Sequence, residues 1–178
     1  THNAPLRSGK GSAYEGGIRV PMIVKYPGKT ANAAVCHQPV MIEDFFPTIL
    51  EMAGIEKPKI RQNVDGRSFL PLLEGKKTAK NRSLFWHYPN LWDGIAPGVF
   101  PSSTILKNNM KLIYNYETGE KELYNLAVDL GETHNLATEN PALLKKLSKE
   151  LGTYLRNLNA QRPTFKASGN QALWPDEI

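Results

Sequence analysis

The chain has 178 residues, of which 40% are apolar and 22% charged, and it holds one cysteine, Cys36. That length gives one domain or slightly more, able to bury about 70% of its unfolded surface. The composition excludes a disordered, collagen-like or coiled-coil chain, and a lone cysteine excludes an internal disulfide framework.

No cluster of Cys and His has zinc-site spacing, and no apolar run approaches the ~18 residues of a membrane span. No membrane partner is therefore expected. Residues Thr1 to Arg7 are neither a signal peptide nor an initiator methionine, as expected of a mature product or a fragment. The formal charge of +5 is unevenly placed. Residues 1–35 carry Arg7, Lys10, Arg19, Lys25 and Lys29 against Glu15, a local +4, and the remaining 143 residues amount to +1. A basic excess confined to one Gly-rich stretch suits a small anion better than nucleic acid, which needs a stripe of cations along its backbone.

In chain order, residues 1–19 read as an ordered or ligand-bound loop. Val20 to Tyr26 reads as a short buried or edge strand, with Pro21 near its start and Pro27-Gly28 closing it. Ile42, Phe45, Phe46, Ile49, Leu50 and Ala53 repeat with helical spacing, Gly54 stands at the C-terminal cap, and Pro47 marks a helix start or a kink. Ser68 to Leu73 forms a helical turn ended by Gly75. A basic linker, residues 76–82, precedes a change of pattern. Ser83–His87, Ser103–Lys107, Lys111–Tyr116 and Glu120–Tyr124 then read as strands, the last three joined by turns at Asn108-Asn109 and Thr118-Gly119 into an antiparallel meander. Tyr88 to Pro101 is a long Pro/Gly/Trp-rich connection, a candidate lid. Asn140 as cap and Pro141 at the first helical position open a helix whose apolar face is Leu143, Leu144, Leu147, Leu151, Tyr154, Leu155 and Leu158. This helix is expected to cover the meander, with a tail over 161–178 docked through Phe165 and Trp174.

The segment from Leu6 to Pro21 carries the chemistry. Glycines on both sides of Lys10 let its ammonium meet an oxyanion without crowding. It is not a P-loop, because Ala4 stands where glycine is required and Gly11 follows Lys10 where Ser or Thr would hold magnesium. Glu15 and Arg19, four apart, read as an ion pair or as caps that fix the loop. Asp129, Glu132 and Asn135 are explained by turn chemistry without a metal. His2, His37 and His134 read as surface or capping residues, and Lys145, Lys146 and Lys149 as a solvated helix face.

Asn3–Pro21 with Tyr26–Gly28 closely resembles the second half of type I, formylglycine-dependent sulfatases of the alkaline-phosphatase-like superfamily. Ile42–Gly54, Asp65–Leu73, Lys111–Ile113, Glu122–Leu126, Asp129–Glu132 and Asn135–Ala137 fit the same family in order, over about residues 1–160. The resemblance implies an α+β chain: residues 1–78 end the α/β catalytic domain and carry the Lys10 anion-binding loop, 82–160 form a subdomain of antiparallel sheet and long helix, and 161–178 form a tail. It implies sulfuric ester hydrolysis by the parent protein on a sulfated carbohydrate or aryl sulfate, with Lys10 contacting the sulfate group. His87, at a strand end before the aromatic connection, is a second candidate for substrate contact. Trp92 and Tyr88 are candidates for stacking on a sugar ring.

Formylglycine and Ca2+ are implied for the full-length parent, with none bound by this chain alone. The Cys/Ser-x-Pro-x-Arg motif that yields formylglycine is missing: Cys36-His-Gln-Pro39 places proline one residue too late and lacks the arginine. The chain alone is accordingly expected to be inactive, with the N-terminal half of the sulfatase as its partner and a homodimer through the uncovered face as another arrangement. The family suggests a periplasmic, extracellular or lysosomal setting. Alternatives are a non-catalytic module binding sulfate or sulfated glycan, and a related phosphate or phosphonate ester hydrolase.

Overall fold

The structure is a computed structural model that describes residues 2–55, 58–76, 82–92 and 96–178. The chain divides into two compact units, one formed by Thr1–Val20 with Asn81–Ile178 and the other by Pro21–Lys80. The Lys10 segment thus packs with the sheet that follows it by some ninety residues, where the sequence reading groups it with residues up to 78. The basic linker of the sequence reading falls mostly on 77–81, outside the described residues.

The first unit contains α1 (Glu15–Ile18), four strands, β1 (Leu84–Tyr88), β2 (Ser102–Lys107), β3 (Met110–Asn115) and β4 (Lys121–Asn125), and a long helix over Pro141–Asn157. The strands pair antiparallel in the order β1-β2-β3-β4. The β2–β3 turn places Asn108 and Asn109 at φ 49° and 66°. This is the left-handed pair that a two-residue hairpin needs, and Asn tolerates it.

Both faces of the sheet are covered, and the two-residue period decides which side chain goes where. One face sends Ile105, Leu112, Tyr114 and Leu123 against Leu147, Leu151 and Leu155 of the helix. Each of these leucines, fully buried, contributes about 1.5–3 kcal/mol of transfer free energy. The opposite face carries Lys111, Ile113 and Tyr124, all buried, and Ile113 and Tyr124 cluster with Tyr14 of the N-terminal segment.

The helix begins at Pro141 as expected, but Asn140 makes no side-chain capping bond. Pro141 already removes one orphan N–H there. Tyr154 leaves the core and stacks on Phe85, ring centroids 3.7 Å apart. The last residues dock through Ala172 and Trp174, both inside the main core cluster, with the Arg162 guanidinium 4.9 Å from the Trp174 ring. Phe165 stays exposed.

The second unit holds a 3-10 turn (Ile42–Asp44), α2 (Phe45–Met52) and α3 (Leu70–Leu73), and the long helix of the first unit is therefore α4. Pro47 sits in the first turn of α2, where its missing N–H breaks no intrahelical bond. At the other end Gly54 N–H donates to Glu51 O and Ile55 N–H to Leu50 O, the paired bonds of a Schellman closure. Asp44 holds the unit together: its carboxylate accepts from the backbone N–H groups of Met41 and Arg67, both at 2.8 Å. Thr48 donates to Asp44 O and accepts from Phe69 N–H, and Phe69 meets Phe45 edge-on.

One sequence expectation fails in this region. Residues 20–26 join no sheet, and Ile23 is 96% exposed. The apolar face of α2 is real as a pattern but uncovered, with Ile42 80% exposed and Phe46 and Ile49 half exposed. Periodicity specifies a face; it does not supply the surface that buries it. Among the described residues no helix is long and apolar enough to cross a membrane.

Candidate active-site loop

The Lys10 segment is a tight loop ending in the single turn of α1. Ser12 N–H donates to Gly9 O at 3.1 Å, and Gly16 N–H reaches back to Arg7 O at 3.0 Å. The Asn3 side-chain amide donates to Gly16 O at 2.6 Å. Gly9 is buried, while Lys10 between it and Gly11 is exposed. Gly11 has φ +89°, a conformation that L side chains rarely adopt.

The described part of the aromatic connection between β1 and β2 is laid along this loop. Ser8 Oγ donates to Pro97 O at 2.7 Å and Ala13 N–H to Gly98 O at 3.0 Å. A Cβ on Gly98 would stand 2.4 Å from the Tyr14 ring and 2.6 Å from Ser12 Oγ, so glycine is required by close approach as well as by its φ of +78°.

Beneath the loop lies a buried polar layer on the sheet. Arg7 donates to Tyr124 Oη at 2.7 Å and to Glu132 O at 2.8 Å, and its guanidinium lies 3.8 Å from the Tyr14 ring centroid. Tyr14 and Tyr124 both donate to the Glu122 carboxylate at 2.8–2.9 Å. Their burial against that carboxylate raises both phenol pKa values above the ordinary range.

Lys111 of β3 is fully buried, its Nζ 2.9 Å from Glu15 Oε1 and 2.7 Å from Glu132 Oε1. The second contact is close as an ion pair but lacks hydrogen-bond alignment. Glu132 Oε2 accepts from Glu15 N–H at 2.6 Å, Glu132 holds a left-handed backbone at φ 52°, and Arg19 closes the network on Glu15 at 3.3 Å. Burial raises the Glu132 carboxyl pKa, and the nearby Lys111 ammonium opposes that shift. Two carboxylates therefore sit against Lys111 from inside and Arg19 from the rim. The loop that presents Lys10 is bolted to β3 by charges that are costly to separate in a low-dielectric interior.

The expected Glu15–Arg19 pair is present, but the partner that matters more, Lys111, is not legible from helical spacing. Glu132, read from the sequence as part of a turn, is likewise an interior ion. The signal for either is slight, a lysine at the start of an otherwise apolar strand. Asp129 does serve the turn, accepting from Thr133 and His134 N–H.

His87 ends up inside the framework. Its Nε2 lies 2.8 Å from Gln161 O, so that nitrogen carries the proton. Nδ1 then accepts from Ser103 Oγ at 2.7 Å, and Ser103 in turn accepts from Tyr116 Oη at 2.8 Å. Burial lowers the His87 pKa and pushes the Tyr116 phenol up to about 12. With both ring nitrogens engaged, His87 offers a substrate no hydrogen-bonding atom until one of these bonds opens.

Trp92 flanks the Lys10 loop, with Tyr88 next to it. The Lys10 Nζ lies 5.7 Å from the Trp92 ring centroid, and the Tyr88 and Trp92 rings are 6.3 Å apart at 48°. Cys36 is an exposed free thiol. Among the described residues no group of three or more His, Cys, Asp or Glu is arranged to hold a metal ion. The donor set for the cation implied by the resemblance is thus not found among the described residues.

This fold and this loop define a sulfatase C-terminal region, and comparison with known proteins agrees. Residues 9–161 match the family "N-sulphoglucosamine sulphohydrolase, C-terminal", and the chain belongs to the sulfatase family. A sulfatase of Formosa agariphila is 40% identical over 171 residues, covering 90% of this chain and 31% of that protein. Mouse steryl-sulfatase is 38% identical over 90 residues, 51% of this chain and 14% of that protein. Among solved structures, Ps i-CgsB in complex with k-i-k-neocarrahexaose superposes with a TM-score of 0.72 at 26% identity, covering 86% of this chain and 32% of that one. The chain spans about a third of the length of the Formosa relative.

Proposed function

We propose that this chain supplies the sulfate-contacting lysine and part of the substrate wall of a sulfuric ester hydrolase. The observation that carries this reading is Lys10: an exposed ammonium between Gly9 and Gly11, on a loop fixed from below by the Glu15–Lys111–Glu132 ions. A cation held in that way stabilises negative charge on the ester oxygens as the S–O bond breaks, and its preorganisation avoids reorganisation during the reaction. His87 belongs, on this reading, to the frame of the sheet; a substrate contact would require its bond to Gln161 O to open.

Formylglycine chemistry belongs to residues other than these, because the sequence holds no Cys/Ser-x-Pro-x-Arg motif. The 178-residue chain alone should therefore not turn over an aryl sulfate. The uncovered apolar residues Ile23, Val35, Ile42, Phe46 and Ile49 are, in this reading, the face that the rest of a sulfatase covers. Relatives of which this chain spans a third have the additional sequence to do so.

The test replaces Lys10 with alanine in the full-length sulfatase that carries this chain. The expected result is a loss of about 10²–10³ in kcat on a sulfate ester, together with loss of sulfate binding by the 178-residue chain. Unchanged kcat in Lys10→Ala would remove the lysine from the mechanism. Hydrolysis by the 178-residue chain itself would overturn its dependence on a separate nucleophile, and light scattering showing a stable homodimer would assign the apolar face to a second copy instead.

A further inference from the structure

We infer that Trp92, with Tyr88 beside it, is the platform that makes this site select sulfate esters of ring alcohols over acyclic ones, by holding the alcohol part against its indole. The inference rests on the reading of Lys10 as the sulfate contact and adds what that lysine cannot supply, a choice among alcohols.

The geometry begins with Gly11. A Cβ built there would meet Trp92 Cδ2, Cδ1 and Cε2 at 3.7, 3.8 and 3.8 Å. Three ring atoms at nearly one distance mean that the indole lies face-on over this glycine. One face is therefore spent on the loop, at ordinary van der Waals separation, which fixes the plane of the ring. Trp92 nevertheless stays 41% exposed and Tyr88 38%, so ring surface remains open to a ligand. Tyr88 is the last residue of β1, in register with Ser102, so the second ring is set by the sheet.

The ammonium stands beside this surface. Its 5.7 Å separation from the Trp92 centroid is within the range over which a cation is drawn to an indole face. A sulfate oxygen bonded to Nζ lies about 2.8 Å from it. The carbon bearing the ester oxygen is then within reach of the indole, whose ring contacts are made at about 3.5–4 Å. A sugar presenting its C–H face, or a flat aryl or steryl ring, fills that space. An acyclic alkyl sulfate leaves it wet.

The test is calorimetric titration of the full chain with four probes: inorganic sulfate, methyl sulfate, galactose 4-sulfate and 4-nitrophenyl sulfate. One or both ring sulfates should bind about three- to tenfold more tightly than methyl sulfate, the size expected of one aromatic contact. Trp92→Ala should erase that advantage and leave inorganic sulfate within about twofold, while Trp92→Phe keeps most of it. Retained sulfate binding in Trp92→Ala shows that the variant is folded, and Trp92→Phe keeps the comparison available if it is not. Which ring sulfate gains distinguishes a carbohydrate from an aryl alcohol. A ring advantage that survives Trp92→Ala, or no ring advantage beside measurable sulfate binding, overturns this inference alone. Failure of all four probes to bind overturns the Lys10 reading, and this inference with it.

Discussion

In the unit built on the sheet, Ile105, Leu112, Tyr114, Leu123, Leu147, Leu151 and Leu155 lie inside one core, and even a lysine and two glutamates are interior. In residues 21–80 the buried residues among those described are Asp44, Thr48 and Phe69, while Ile23, Val35, Ile42, Phe46, Ile49 and Ile55 face outward. The two units are similar in hydrophobic patterning and differ in whether the pattern finds its complement. The sheet unit closes on itself because α4 and the N-terminal loop cover its two faces. Residues 21–80 bury little beyond Asp44, Thr48 and Phe69, are tied by the hydrogen bonds of the Asp44 carboxylate and the Thr48 hydroxyl among others, and leave many of their apolar side chains exposed. In the proposed reading these exposed apolar residues are the ones that the rest of a sulfatase covers.

The comparison breaks first, and with the largest effect, at Lys111. Lys111→Met leaves Glu15 and Glu132 facing each other without their cation, and denaturant unfolding of the sheet unit should lose about 3–5 kcal/mol. The triple change Glu15→Gln, Lys111→Met, Glu132→Gln should recover much of that loss, since a buried ion set replaced as a whole is often near neutral. If Lys111→Met alone costs nothing, the ionic bolt under the Lys10 loop is not a structural element.

Leu151→Ala, at the centre of the α4 contact, should cost about 2–5 kcal/mol in the same measurement. A value near zero would mean that α4 does not cover the sheet.

A smaller effect depends on pH. The half-buried His87 has a lowered pKa in the fold, so folding favours its neutral form. Its stabilising contribution is complete above the unfolded value of about 6.5 and is lost as pH falls through that value toward the lowered folded one. Unfolding curves at pH 7.5 and pH 5 should differ less for His87→Gln than for the parent chain, and an identical pH dependence would show that His87 titrates freely.

The smallest effect sharpens the contrast. Phe46→Ser and Ile49→Ser should each change the stability of this chain by no more than about 0.5 kcal/mol, as exposed positions do. In the full-length sulfatase the same changes should cost several times more. Equal small effects in both settings would leave that face without a partner.

Local features were legible wherever neighbouring residues decide them. The Asn108-Asn109 turn, the four strands, the Pro141 start of α4, the Gly54 closure and the Glu15–Arg19 pair all follow from short-range chemistry. Trp92 and Tyr88 could be marked as aromatics in a long connection. The flat contact of Trp92 with Gly11 joins residues eighty-one positions apart, which no spacing rule reaches. His87 illustrates the opposite failure, because the atoms that occupy its ring nitrogens belong to Ser103 and Gln161 and carry no local signal.

By itself, then, the amino-acid order determined the family and the meander with its covering helix, and it marked the glycine-flanked Lys10 as the candidate anion contact. Only the tertiary structure decided that β3 carries an interior lysine binding Glu15 and Glu132, that the Lys10 loop packs on the sheet, and that the face of α2 stays open. The reason is the range of the forces involved. Turns, caps and periodic faces are settled within a few residues, whereas the desolvation of an ion or an apolar face depends on which distant segment comes to rest against it.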